Sequence, residues 1–234
     1  MKQLQLQHIL QTHQGEFHSV VPFSPELDKL LLLDFTINNS ELTDDLINDT
    51  NAYTNYINNK LKEANARYGI GGYNEHRIVY SRSSVFNPKT TEEEPRRLHI
   101  GVDVWGKPYT KVMSPLDGII HSFGFHNEVG NYGAVLILTH HLEGLGFHTL
   151  YGHLSRNSIV NTREGERVKK GDVVGEFGIA SENGSWPPHL HFQIISDMGE
   201  FHGDYPGVCK FSQREQWLSA CPDPDLILQL NKFI

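Results

Sequence analysis

Five residues of this chain have types suited to holding a metal ion and working beside it: His99 and Asp103, then His153, then His189 and His191. They fall in the segments R-R-L-H-I-G-V-D-V-W, T-L-Y-G-H-L-S and P-P-H-L-H-F-Q-I. Imidazole and carboxylate are zinc ligands, and a catalytic zinc usually keeps three protein ligands plus an open position for water. Five candidates exceed three, so some of the set would be ligands and the others would handle protons. Any one of these histidines alone is read as a surface or satisfied core residue. The ordered set points to one hydrolytic metal centre.

Each segment sets a geometric condition. In His189-Leu190-His191-Phe192-Gln193-Ile194 polar and apolar residues alternate, the period of a half-buried strand. Leu190, Phe192 and Ile194 are expected to face the core, with His189, His191 and Gln193 on an open face. Residues two apart on one strand face lie roughly 6–7 Å from each other at the backbone, so one histidine can bind a metal while its neighbour reaches metal-activated water. Positions four apart on a straight strand lie about 13 Å from each other, too far for His99 and Asp103 to share one ion. Gly101 between them permits a bend or bulge. The segment must turn there if both are ligands.

These segments resemble the lysostaphin/LytM-type zinc metallopeptidases, whose motifs are H-x-x-x-D, Y-x-H-L and H-x-H. The resemblance covers roughly residues 96–196 and extends to Ser114-Pro115-Leu116-Asp117-Gly118 and Val168-Lys169-Lys170-Gly171-Asp172. H-x-H alone arises often by chance; the ordered set of three motifs is specific. The resemblance implies His99, Asp103 and His191 as ligands of one zinc per chain, and His153 and His189 as catalytic histidines. Elementary chemistry agrees with that division. Zinc lowers the pKa of bound water toward about 7 and polarises a scissile carbonyl, and an imidazole of reference pKa about 6.5 can accept and return a proton near neutrality. The implied reaction is hydrolysis of a peptide bond in peptidoglycan-type or glycine-containing peptides. Trp186-Pro187-Pro188 stands where the family usually has T-G-P, and is expected to give the cleft a rigid aromatic wall.

The remaining histidines carry less. His140 and His141 end the apolar run Ala134–Leu138 and are read as hairpin-end residues, although His140 resembles one common at that point in the family. His148 has opposite strand parity to His153 and should point away from the site. A rival cluster of His140, His141, Glu143 and His148 is conceivable, whereas His8, His13, His18, His76, His121, His126 and His202 show no spacing for shared ligation. Two other function classes compete with an active peptidase. Val112–Gly118 with Val168–Val174 resembles biotinyl and lipoyl carrier domains, but the M-K-M or D-K-A/V tripeptide of a modified lysine is missing. A catalytically silent scaffold that binds or activates a partner would be marked by lost ligands or catalytic histidines, and all five are present.

Composition narrows the field further. With 20 Lys and Arg against 28 Asp and Glu the net charge is −8, and no basic nucleic-acid footprint exists. Cys209 and Cys221 are expected to be free thiols, since two cysteines in 234 residues make no disulfide framework. Residues 1–8 lack the basic region and continuous apolar stretch of a signal peptide. Leu30–Leu33 is too short for a membrane span. The expected location is therefore the cytoplasm, a trimmed secreted enzyme being the alternative, and the expected partner is a peptide or muropeptide substrate.

Around these motifs, residues 1–37 read as mixed, with a strand near Leu31–Phe35. Capping residues near Thr43 precede a helix over about 43–67 with an apolar face of Leu46, Tyr53, Ile57, Leu61 and Ala64. Arg77–Tyr80 reads as a strand, and the polar loop Asn87–Pro95 as part of a cleft rim. From Leu98 onward short strands are punctuated by glycine: 99–104, 118–123, 134–139, 148–153, 172–177 and 189–195. Such a series indicates a mainly β sandwich or partly open barrel of antiparallel strands with an N-terminal helical appendage, α+β overall. The expected division is an accessory region with one helix at 1–76, a metallopeptidase-like β core at 77–208 and a partly helical tail at 209–234.

Overall fold

The computed structural model describes residues 2–90 and 92–234. The strands among the described residues are β1 (Leu30–Leu33), β2 (Tyr68–Gly71), β3 (Glu75–His76), β4 (Arg96–His99), β5 (Val102–Trp105), β6 (Lys111–Met113), β7 (Gly118–His126), β8 (Gly133–Leu142), β9 (Leu145–Leu154), β10 (Arg167–Val168), β11 (Val173–Glu176), β12 (His189–Ile195) and β13 (Val208–Lys210). The helices are α1 (Lys2–Thr12), α2 (Asp44–Asn48), α3 (Thr50–Glu63), α4 (Arg214–Ala220) and α5 (Asp225–Leu228). Eight strands form one sheet in the order β1-β2-β5-β12-β9-β8-β7-β10, which is not closed into a barrel. β1 runs parallel to β2, and the remaining neighbours in this sheet are antiparallel. A three-stranded sheet, β13-β4-β3, and the pair β11-β6 complete a mainly β fold.

Both faces of the central strands are covered. Leu136, Leu138, Tyr151, Leu190, Phe192 and Ile194 pack on one side with Leu6 and Leu10 of α1 and Ile227 of α5. Val135, Ile137, Leu150 and Ile195 pack on the other with Leu98, Cys209 and Cys221. The alternation of β12 does report two faces, but the polar one is not open: His189, His191 and Gln193 are all buried. The chain that follows β12 folds back over it, as Gln193 bonds to Pro206 and Cys221 show.

Three local departures from the sequence reading have physical reasons. The single helix expected over about 43–67 is two, because Asp49 takes an extended conformation and its carboxylate caps Asn51 and Ala52 as the start of α3. Together with α1, three α-helices precede β3 among the described residues, where one was expected. Tyr53, Ile57 and Leu61 do form the buried face of α3, against Leu33, Phe35, Trp105 and Trp186. Ile78–Arg82 is a 3₁₀ helix rather than a strand; it follows Arg77, whose backbone is extended and whose side chain reaches inward to Glu75 and Asp103. Among the described residues no helix is long and apolar enough to cross a membrane.

Candidate metal centre and active-site cleft

His99 and Asp103 reach one point because the chain changes sheets between them. His99 ends β4 in the three-stranded sheet, opposite Val208 and Glu75. Asp103 lies in β5 of the main sheet, opposite His191 of β12. The crossing at Gly101 passes so close to His191 that a Cβ at 101 would stand 2.4 Å from its Cε1 and 2.9 Å from the Phe192 carbonyl oxygen. Only glycine leaves that space. The turn brings His99 Nε2 to 3.2 Å from Asp103 Oδ1.

His191 completes a triangle, with Nδ1 at 2.9 Å from His99 Nε2 and 3.1 Å from Asp103 Oδ1. All three residues are buried, and among the described residues theirs is the one such group whose ligand atoms lie within 4.8 Å of each other. A tetrahedral zinc with ligands at about 2.0–2.1 Å has ligand-to-ligand edges of about 3.3 Å. Edges of 2.9, 3.1 and 3.2 Å fit that face closely. His99 donates Nδ1–H to the Gly72 carbonyl at 2.9 Å, so its Nε2 is a free lone pair. The set fits zinc in donor type, protonation and size.

His153 and His189 lie beside this triangle, their rings 4.1 Å apart. β9 pairs with β12 so that Gly152 stands opposite His191, which puts His153 next to the site. His153 has a φ of 60°, unusual for a residue with a side chain. The conformation is held on both sides: its N–H bonds to Tyr132 O at 3.0 Å and its carbonyl accepts from Gly178 N at 2.9 Å. Its Nδ1–H donates to Asn183 O at 2.9 Å, and His189 Nδ1–H donates to Pro187 O at 2.8 Å. Each therefore offers Nε2 as a base. Burial lowers the His189 pKa to about 4. Burial, reinforced by His189 and His191, holds His153 well below the usual histidine range. Both rings are neutral at pH 7. Trp105 stacks on His189 at 3.8 Å between centroids and fixes its plane.

Arg77 escaped the sequence reading. Its side chain is fully buried, bonds Asp103 Oδ2 through Nη1, and bonds Glu75 Oε2 at 2.6 Å through Nε. Burial alone would raise the Asp103 carboxyl, but His99, Arg77 and His191 together hold it well below its ordinary value. Asp103 is thus an anion with Oδ2 tied to a cation and Oδ1 facing the two imidazoles. No spacing signal links residues 77 and 103.

A cavity of about 270 Å³ opens on the site, lined by Asp103, His153, His189 and His191. Tyr80, Phe86, Trp186 and Tyr132 give it aromatic walls. Trp186 is in the wall as expected, whereas among the described residues the rim beside the first segment is Val85, Phe86 and Arg96 rather than those of the loop between them. His140 lies outside the cavity: its Nδ1 donates to Asp117 O at 2.9 Å and its Nε2 meets Thr149 Oγ1 at 2.8 Å. Glu143 pairs with His13 at 2.8 Å, and His148 with Thr139 at 3.0 Å, so the rival cluster does not assemble. Cys209 and Cys221 are free and buried.

Comparison with known proteins adds a family. Residues 97–202 match peptidase family M23. No curated protein matches the chain. Among solved structures, a zinc-containing peptidase from Vibrio cholerae is 26% identical, over 42% of this chain and 27% of that one, with a TM-score of 0.34. Helicobacter pylori Csd3 is 29% identical, over 53% of this chain and 32% of that one, at 0.34. The lysostaphin catalytic domain from Staphylococcus simulans is 23% identical, over 70% of this chain and 96% of that one, at 0.39. The chain thus spans less than a third of the Vibrio and Helicobacter proteins.

Proposed function

We propose, from the match of residues 97–202 to peptidase family M23, that this chain is a zinc-dependent endopeptidase acting on peptidoglycan-type or other short, glycine-containing peptides. The carrying observation is the buried triangle of His99 Nε2, Asp103 Oδ1 and His191 Nδ1. Zinc, when bound by these residues, supplies Lewis acidity toward the scissile carbonyl and acidifies water.

The chain's own groups do the rest. His153 and His189 present unprotonated Nε2 atoms, so either can accept the proton of the attacking water and, as the imidazolium so formed, return that same proton to the leaving amine. Their depressed pKa values keep them in the basic form at neutral pH. Trp105 and the Pro187 carbonyl hold the His189 ring still, and the aromatic walls exclude bulk water from the reacting bond. Arg77 keeps Asp103 ionised and orients its carboxylate.

The test is metal analysis of the purified chain together with cleavage of muropeptides and oligoglycine peptides. About one zinc per chain is expected, falling in Asp103→Ala as the anionic ligand that balances zinc's charge is lost. Full occupancy in a variant with His99, Asp103 and His191 all changed to alanine would refute the ligand set. Loaded protein that cleaves neither peptide class would refute the substrate assignment.

A further inference from the structure

We propose that Gln193 is a positioning residue for the metal centre, turning the free lone pair of His191 toward His99 and Asp103, and that the C-terminal segment orients it through the Pro206 carbonyl, with Cys221 packed beside it. The consequence for zinc rests on the reading above; the geometry does not.

Gln193 is fully buried on the same face of β12 as His191, two residues on. One end of its amide lies 2.9 Å from His191 Nε2. The other lies 3.2 Å from the Pro206 carbonyl oxygen and 3.2 Å from Cys221 Sγ. A carbonyl oxygen only accepts, so the end facing Pro206 is the NH₂ and the end facing His191 is the oxygen. That oxygen in turn only accepts. His191 must therefore carry its proton on Nε2, which leaves Nδ1 as a lone pair. His99 Nε2 is a lone pair for the same reason, its Nδ1–H being given to Gly72 O.

Two lone pairs 2.9 Å apart, with a carboxylate oxygen 3.1 and 3.2 Å away, repel one another unless a cation sits among them. The opposite amide orientation would reverse this. An NH₂ facing Nε2 would move the His191 proton to Nδ1, where Asp103 Oδ1 would accept it, and the pair would satisfy itself without metal. The direction of one buried amide thus separates a ligand set from a closed histidine–aspartate pair.

What holds that direction lies beyond the family match, which ends at residue 202. Cys221 closes α4, its N–H bonded to Trp217 O at 2.8 Å and its carbonyl accepting from Tyr73 O–H at 2.7 Å. Burial pushes its thiol up to about 12, so the sulfur meets the Gln193 NH₂ uncharged.

Imidazole ¹⁵N NMR on the full chain freed of metal by chelation reads the His191 tautomer directly, and chelator competition reads zinc affinity. The wild type should show His191 as Nε2–H. Gln193→Leu should shift His191 toward Nδ1–H, leave the His99 tautomer unchanged, and weaken zinc binding by roughly 10–100-fold. Gln193→Glu keeps an acceptor toward Nε2 and should retain the wild-type tautomer; it decides the matter if the leucine variant does not fold. Cys221→Ala should move the tautomer in the same direction as Gln193→Leu, by less. Nδ1–H in the wild type or in Gln193→Glu, or an unchanged tautomer and affinity in Gln193→Leu, would overturn the assignment. A wild type with Nε2–H at His191 that binds no zinc would instead overturn the metallopeptidase reading and leave Gln193 in its role.

Discussion

Replacing Gly101 by alanine puts one methyl group where the chain crosses from one sheet to the other. That Cβ would lie 2.4 Å from His191 Cε1, 2.6 Å from Nε2 and 2.9 Å from the Phe192 carbonyl oxygen. Ordinary contacts between carbon atoms are about 3.5–4.0 Å, so the ring or the crossing backbone must retreat by about 1 Å. The backbone is poorly placed to move, since Ile100 N is bonded to Gly207 O at 3.1 Å. The ring is the softer partner. Metal–ligand distances are held to about 0.2 Å, so a shift of that size takes His191 Nδ1 out of bonding range. Overpacking of this kind costs about 1–3 kcal/mol of fold stability. Loss of one good ligand should weaken zinc at least tenfold, about 1.4 kcal/mol. Chelator competition measures the affinity and thermal unfolding the stability, with Gly15→Ala as the control because no atom lies within 4 Å of its added Cβ. A Gly101→Ala chain that keeps wild-type zinc affinity and melting temperature would refute the claim that the crossing requires glycine.

Other perturbations separate the roles of the neighbouring residues. His153→Ala and His189→Ala should keep most of the metal and lose roughly 10²–10⁴-fold in peptide cleavage; if either chain loses zinc as fully as His191→Ala, that histidine is a ligand. Arg77→Met leaves the buried Asp103 and the half-buried Glu75 without their cation, and should cost about 3–5 kcal/mol in urea unfolding. A loss below 1 kcal/mol would show that the two carboxylates manage without it. Burial holds His140 at about 4 in the folded chain, against roughly 6.5 unfolded. Between those values the unfolded chain binds a proton that the folded chain refuses, so stability falls as pH is lowered from 6.5 toward 4. That histidine alone should remove about 2 kcal/mol between pH 7.5 and 5. His140→Gln should flatten the dependence, and equal slopes in the two proteins would contradict it.

The parts of the site that the sequence announces are those a few consecutive residues can build. Alternation over 189–194 specifies a strand that puts His189, His191 and Gln193 on one face, and β12 does so. A glycine midway between His99 and Asp103 specifies a bend, and the chain changes sheets there. The short glycine-punctuated strands from residue 99 onward likewise emerge as a mainly β fold. Local signals fail where a polar residue competes with periodicity. Asp49 breaks a continuous apolar stripe by capping the next helix with its own carboxylate. After Arg77, whose guanidinium is bonded to Glu75 and Asp103, the chain forms a 3₁₀ helix where a strand was expected.

What period-2 alternation cannot state is what covers the polar face it creates. His189, His191 and Gln193 read as solvent-facing because they are polar, yet each is buried: His189 bonds the Pro187 carbonyl, His191 bonds Gln193 through Nε2, and Gln193 bonds the Pro206 carbonyl. The outer partners that decide protonation are distant in sequence: Gly72 for His99, Asn183 for His153, Cys221 for Gln193. Two of these are backbone carbonyls, which any residue type supplies, so no composition or spacing can mark them. Ligand identity can therefore be encoded in short motifs, while the tautomer that makes a histidine a ligand is a property of tertiary packing. A chain carrying all five motif residues could still close His191 onto Asp103 as an ordinary hydrogen-bonded pair. In this fold the buried amide of Gln193 faces the other way, which leaves the His191 Nδ1 open toward His99 and Asp103.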